Sequence, residues 1–321
     1  MTITEFKERL TIPVISSPMF LVSGTQLVIE ACKNGICGTF PSLNGRTVED
    51  FEKMLIEITT ELKKFEEETG KKAAPFGVNI IVNHTNPRIQ SDLQLCAQYK
   101  VPLIITSLGA VKEIVDAVHG YGGLVFHDVI KKRHAEKAAE AGVDGIIAVT
   151  AGAGGHAGLA NPFALIDEIR TFYKGTLLLA GALNNGEDVL AAQTMGADFA
   201  YMGTRFIATK EANADEEYKQ IILESDIEDV VYTDGISGVN ANFLKKSIEK
   251  AGIDITQEKE ENFSELIGTD GHKAWKDIWS AGQGVAGIQD VPTTADLVGR
   301  LKTEYKNALL KNQERLEKLG Y

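Results

Sequence analysis

The sequence is short of cysteine, of proline and of long apolar runs. Its 321 residues include three cysteines and eight prolines, and Cys32, Cys37 and Cys96 show neither a CxxC pair nor the spacing of metal ligands. We therefore expect reduced, mostly buried thiols and no metal site. The sequence has no apolar run of about eighteen residues and no apolar leader at its start, which predicts a cytoplasmic protein that is neither secreted nor membrane-spanning.

Positive charge is also scarce, because 33 Lys and Arg face 45 Asp and Glu for a net charge of −12. Nucleic acids and anionic membranes bind basic surfaces that release their counterions. The most basic segment, VIKKRHAEK at 129–137, is too short to change this balance. We expect a small-molecule substrate as partner, with no nucleic acid and no membrane; the sequence leaves a homodimer open.

Eight short runs rich in Val, Ile and Leu recur along the chain, and each is followed by an amphipathic segment. They lack apolar/polar alternation, which is typical of parallel strands covered on both faces. Strict alternation of strand and helix predicts an α/β fold, a closed (β/α)8 TIM barrel. The predicted strands are 13–17, 35–40, 76–82, 102–107, 122–128, 145–151, 176–182 and 198–204.

The alternation stops after the eighth predicted strand and resumes only with a long terminal helix. We predict a barrel formed by 1–209 and 291–321, with an inserted, mostly helical cap subdomain at 210–290. The alternative is a C-terminal helical domain unrelated to the site. Trp275 and Trp279 in this region have the i,i+4 spacing of residues that pack on one helix face.

The segment VTAGAGGHAG, from Val149 to Gly158, consists mainly of Gly and Ala around one histidine, His156. Such residues let a backbone approach a partner closely and leave N–H groups free to point at it. The segment follows a predicted strand, and catalytic groups of (β/α)8 barrels lie at the carboxyl ends of strands. It is therefore interpreted as a cradle that holds one chemical group.

Two further glycine-containing turns follow the last two predicted strands. AGALNNGEDV and MGTRF supply Gly181, Gly203 and the hydroxyl of Thr204 at the place where such barrels hold a phosphate. Ordinary strand-to-helix turns are the alternative. A phosphate site beside a glycine-lined wall suggests a phosphorylated planar cofactor across the barrel mouth.

The motifs ISSPM, FGVN, TSLGA, AGAGGHAG, AGAL, MGTRF and WSAGQGVAGI occur in this order along nearly the whole chain. The pattern resembles the nitronate monooxygenases, formerly called 2-nitropropane dioxygenases, and the related FMN-dependent enoyl-ACP reductases. The resemblance implies noncovalent FMN, with His156 beside the flavin as a base or hydrogen-bond partner for the substrate; a structural histidine in a glycine-rich turn is the alternative. For Lys131 a solvated helix start is an equal alternative. The cofactor-binding residues that the resemblance implies are Met19, Asn79, Lys131, Ala151, Gly155, Gly181, Ala182, Gly203 and Thr204.

One departure from the common family motif concerns the segment from Val149 to Gly158, the small-residue segment. The motif reads Gln-Gly-x-Glu-Ala-Gly-Gly-His, whereas Val149 and Gly152 stand here in place of the Gln and the Glu. Without the Gln amide, redox tuning and substrate orientation are expected to differ. The predicted function is an FMN-dependent nitronate monooxygenase that oxidises nitronates or nitroalkanes with O2. The alternatives are an NAD(P)H-dependent reductase of enoyl thioesters or quinones, and a non-catalytic FMN- or phosphate-binding module.

Overall fold

The computed structural model describes residues 1–83, 85–109, 112–236, 238–255 and 278–320. Eight parallel strands close into a barrel in the order β1-β2-β3-β4-β5-β6-β8-β9. Each overlaps one predicted run, and the predicted TIM barrel is confirmed. The strands are β1 (Val14–Ser16), β2 (Cys37–Pro41), β3 (Gly77–Ile81), β4 (Leu103–Ser107), β5 (Leu124–Val129), β6 (Gly145–Val149), β8 (Thr176–Ala180) and β9 (Phe199–Met202).

Helices follow the barrel strands, and several begin at side chains that cap their first turn. Thr47, Asn161 and Asn185 each accept a hydrogen bond from a backbone N–H in the first turn of the helix that follows. The described helices are α1 (Ile3–Glu8), α2 (Thr25–Lys33), α3 (Val48–Thr69), α4 (Ile89–Gln98), α5 (Lys112–Gly120), α6 (Lys132–Ala141), α7 (Pro162–Arg170), α8 (Gly186–Thr194), α9 (Thr204–Ile207), α10 (Glu216–Leu223), α11 (Lys245–Ala251) and α12 (Thr294–Leu319).

The terminal helix α12 completes the ring of helices, because it packs against both α8 and α2. The Glu304 carboxylate accepts a hydrogen bond of 2.9 Å from the Gly186 amide at the start of α8. The chain between β9 and α12 is thus inserted into the barrel pattern. The boundary of the cap at 210–290 stays a prediction, and its part from 256 to 277, with Trp275, lies outside the described residues.

The insert carries a small antiparallel sheet as well as helices. Strands β10 (Val230–Thr233) and β11 (Ala241–Leu244) form a pair, and β11 pairs further with β7 (Gly155–His156), which belongs to the small-residue segment. Strands of four residues lack a distinct period, so the sequence indicated no more than a short strand or turn in this part of the insert. The sheet joins the insert directly to the backbone of His156.

The barrel interior is apolar below and polar at the carboxyl ends of the strands. Phe6 of α1 fills the lower opening, where its ring lies edge-on to Phe126 and Phe199 with centroids 5.7 Å apart in both pairs. Side chains from alternate strand positions complete this core: Ile15, Cys37, Leu103, Ile105, Leu124, Ile147, Leu178 and Ala180.

Two further observations bear on the sequence analysis. All three cysteines are buried and free, and burial raises the pKa of the Cys32 thiol to about 12. Across the described parts of the chain, no helix is both long enough and apolar enough to cross a membrane.

Phe6→Ala is expected to lower the free energy of unfolding by about 3–5 kcal/mol, because it leaves a cavity beneath the barrel core. Phe6 is fully buried, whereas Glu8 on the same helix is exposed, so Glu8→Ala is the matched control. Urea unfolding of both variants measures the difference. Equal stability of the two variants would contradict the conclusion that Phe6 fills the lower opening of the barrel.

Candidate active site

A cavity of about 670 Å³ opens at the carboxyl ends of the barrel strands, within the size range of cofactor sites. Its walls come from the barrel and from the insert, including the segment 278–284 that returns to the barrel rim. Eight of the ten predicted site residues line it: Met19, Asn79, Gly155, His156, Gly181, Ala182, Gly203 and Thr204.

The other two predicted residues, Lys131 and Ala151, do not line this cavity. Lys131 is exposed and precedes the first turn of α6. Ala151 uses its backbone elsewhere: its N–H donates to the carbonyl of Ala160 at 3.1 Å, and its carbonyl accepts from the Asn242 side chain at 3.1 Å. Ala151 therefore supports the small-residue segment through backbone hydrogen bonds and not through contact with the cavity.

The small residues let the return segment 278–284 dock directly on the small-residue segment. A Cβ atom on Gly282 would lie 2.5 Å from the carbonyl oxygen of Gly152, and one on Gly154 would lie 2.8 Å from the Gly282 nitrogen. The same Gly152 oxygen accepts hydrogen bonds from the backbone N–H groups of Gln283 and Ala182, at 3.0 and 3.1 Å. Two of the glycines thus serve backbone packing, a role that the sequence analysis did not foresee.

Asn242 of β11 fixes the same segment from the side of the insert. Its side chain is buried and donates to the carbonyls of Ala151 and Ala153, at 3.1 and 2.7 Å. Nearby, Trp279 is largely buried and stacks on Tyr218 with ring centroids 5.0 Å apart. Trp279 therefore packs the wall of the cavity, although it lies outside any helix and not on the helix face that its spacing suggested.

The turns after β8 and β9 form one end of the cavity. The backbone at Gly181 and Ala182 has positive φ, at 139° and 54°, and a Cβ on Gly181 would lie 2.3 Å from the Thr150 hydroxyl. The Thr204 hydroxyl accepts a hydrogen bond of 2.9 Å from the Gly282 amide. Because this bond uses an oxygen lone pair, the hydroxyl hydrogen remains available as a donor.

His156 lies on β7 opposite Ala241, and its side chain is half-buried in the cavity wall. Burial lowers the pKa of the imidazole to about 4, because the charged form is the one that loses hydration. At neutral pH the ring is therefore uncharged and able to accept a proton.

A chain of three polar side chains forms the floor of the cavity. The Asn79 amide donates to the Ser107 hydroxyl at 2.8 Å, and Ser107 donates to the Asp128 carboxylate. Burial is the main cause that raises the pKa of Asp128 to about 6. The sequence analysis missed Asp128, although its two-residue spacing from Phe126 and Leu124, both in the barrel interior, was a signal.

A second cavity of about 680 Å³ adjoins the first, because Asn79, Asp128 and His156 line both. Much of its remaining wall is apolar, and His134 and Lys137 of α6 contribute basic groups. The apolar side chains that line only the second cavity include Leu43, Ile81, Leu108, Ile130 and Val239.

Known proteins match both the sequence and the fold. The family model for nitronate monooxygenase matches residues 47–304. A nitronate monooxygenase of Neurospora crassa is 24% identical over 94% of this chain and 90% of its own. The (3aS,4S,5R,7aS)-5-hydroxy-7a-methyl-1-oxo-octahydro-1H-indene-4-carboxyl-CoA dehydrogenase of Rhodococcus jostii is 25% identical over 75% of this chain and 65% of its own.

Among solved structures, FabK from Thermotoga maritima superposes with a TM-score of 0.81, at 23% identity and with 98% of each chain covered. The likeness concerns the fold, a (β/α)8 barrel. With most of the sequence matched by the family model, the chain belongs to the nitronate monooxygenase family and is an oxidoreductase.

Asn242→Ala is expected to lower the free energy of unfolding by about 1–3 kcal/mol, because the carbonyls of Ala151 and Ala153 lose a buried donor. Asn240→Ala, at an exposed asparagine just before β11, is the control and should change little. Chemical unfolding curves of the two variants provide the comparison. A loss that is the same in both would show that the Asn242 bonds do not hold the segment.

Proposed function

We propose that the chain is an FMN-dependent oxidoreductase that oxidises alkyl nitronates or nitroalkanes with O2. The observation that carries the proposal is the position of a neutral histidine, His156, on the wall of the Gly- and Ala-lined cavity. Membership of the nitronate monooxygenase family supports the same activity.

The residues of the first cavity fit FMN. Gly155 lines the cavity and has a φ of 67°. No atom lies within 4 Å of the position that a Cβ would take, so its backbone is directly accessible from the cavity. Gly203 and the Thr204 hydroxyl would hold the phosphate, while Met19 and Asn79 would lie along the ring. Bound FMN would supply two-electron oxidation and reaction with O2.

His156 would remove the α-proton of a nitroalkane. Because the imidazole is uncharged at neutral pH, its ring can accept that proton. A nitronate has already lost this proton, so it depends on His156 only for orientation. A comparison of the nitroalkane with the nitronate therefore distinguishes the proton-transfer step from the oxidation step.

An anaerobic absorbance experiment tests the proposed activity. Flavin absorbance of the purified protein should bleach on addition of propionate 3-nitronate and persist with NADH alone. Bleaching by NADH would transfer the assignment to a flavin reductase. Bound FMN that neither compound reduces would indicate a non-catalytic FMN-binding module.

Gly155→Ala is expected to raise the Kd for FMN at least about tenfold, because the added methyl group would occupy space that the cofactor needs. Gly142→Ala is the matched control: Gly142 also has positive φ, at 83°, with open space around it, but it ends α6 away from the cavity. Both variants place an alanine at positive φ, so both carry backbone strain. Fluorescence titration with FMN measures the two constants, and equal values would count against the cofactor position.

His156→Gln is expected to lower kcat/KM for a neutral nitroalkane by about 10²–10⁴-fold, the usual contribution of a general base, and to affect the nitronate far less. In the wild type, kcat/KM for the nitroalkane should fall as pH drops toward 4, where His156 becomes protonated. His119→Gln, at an exposed histidine outside the cavity, is the control. An equal loss with both substrate forms would contradict the role as base.

The second cavity favours one other candidate, a reductase of enoyl thioesters. Its apolar wall suits an acyl chain, and a basic cluster at the start of α6 would attract the phosphates of a coenzyme A or carrier group. The similarity to a carboxyl-CoA dehydrogenase points the same way. Anaerobic bleaching by NADH, followed by reoxidation with an enoyl thioester, would establish this function. The cluster comprises Lys131, Lys132, Arg133 and Lys137, of which Lys137 lines the second cavity.

A further inference from the structure

Asp128 is a half-buried acidic group at the site that the proposed reaction does not use. Leu124, Phe126 and Asp128 of β5 all face the barrel interior, and Asp128 is the last of the three. Its carboxyl group therefore lies between the apolar core and the two cavities. Within the described part of the chain, no basic side chain lies within 4 Å of this carboxylate. A carboxylate in such a place must be held by hydrogen bonds.

The hydrogen bonds around Asp128 have a fixed direction. The Asn79 amide nitrogen donates both to the carbonyl of Ile105, at 3.1 Å, and to the Ser107 hydroxyl, at 2.8 Å. Ser107 therefore accepts from Asn79 and gives its own hydrogen to Asp128. The Leu108 backbone N–H also donates to the carboxylate. These donors favour the ionised form, whereas burial favours the protonated form, and the two effects leave the pKa at about 6.

The titratable groups around Asp128 do not fix its ionisation state, so a charge that enters the cavity can change it. Tyr201 of β9 stays protonated, because burial and then the charge of Asp128 raise its pKa well above the usual value. His156 is neutral at pH 7, and so is His127, which is bonded to Thr106 and lines the second cavity with a pKa that burial lowers to about 4. From α6, His134 and Lys137 also line the second cavity, but neither lies within 4 Å of the Asp128 carboxylate.

We propose that Asp128 is the proton acceptor that balances charge at this site: its carboxylate takes up one proton from solvent as two electrons pass from the substrate to the cofactor. When O2 removes the two electrons, Asp128 returns the proton to solvent. This inference rests on the proposed function, since it requires FMN in the first cavity. Negative charge that enters the cavity raises the pKa of a nearby carboxyl group. The pKa of Asp128 is about 6 before the charge enters, so the rise would carry this pKa past pH 7.

The midpoint potential of the bound flavin, measured against pH from 5 to 9, tests this inference. One additional proton per two electrons steepens the fall of the potential by about 30 mV per pH unit. The wild type should show this steeper region above pH 6, and Asp128→Asn should lack it. Ser107→Ala removes a donor to the ionised carboxylate, so it should move the start of the steeper region to higher pH without abolishing it.

Asp116→Asn is the control, because it removes one negative charge from exposed α5 and should leave the profile unchanged. Parallel profiles for the wild type and Asp128→Asn would overturn the inference. If Asp128→Asn does not bind FMN, an unshifted profile in Ser107→Ala would overturn it equally. Failure of the wild type to bind FMN would refute the proposed function instead, so the two failures are distinguishable.

Discussion

The site depends on the contact between the small-residue segment and the return segment. The carbonyl of Gly152 accepts two backbone N–H groups, one from Gln283 of the return segment and one from Ala182 after β8. Gly282 and Gly154 let the two backbones meet, because a Cβ on either would overlap the other chain. This contact fixes three turns relative to one another. It therefore sets both the shape of the first cavity and the place of His156.

Burial shifts the pKa values of the two ionisable groups at the barrel mouth in opposite directions, in each case toward the neutral form. It keeps His156 neutral, with a pKa of about 4, and brings Asp128 close to half-ionised near pH 6. The difference arises because desolvation opposes the cation of one and the anion of the other. In the proposed reaction His156 would remove the substrate proton and Asp128 would balance the charge, so different groups would carry out the two tasks.

Local patterns sufficed for the barrel and for most of the cavity. The eight apolar runs predicted the strands, and eight of the ten predicted site residues line the cavity. Motif position alone could not separate Lys131 and Ala151 from true lining residues, because side-chain direction depends on the turns between elements. The docking role of Gly282 depends on a contact between distant segments, whereas the inward position of Asp128 follows from the local alternation of β5. The strands of the insert were too short to give a period.

The central claim is that the first cavity holds FMN by its phosphate as well as by its ring. Titration of the cofactor-free protein with FMN and with riboflavin, followed by flavin fluorescence, tests it most directly. The account predicts saturable binding of FMN and at least about tenfold weaker binding of riboflavin, since charge-assisted hydrogen bonds to the phosphate contribute about 1.5–3 kcal/mol each. Equal affinities, or no binding of FMN, would contradict it.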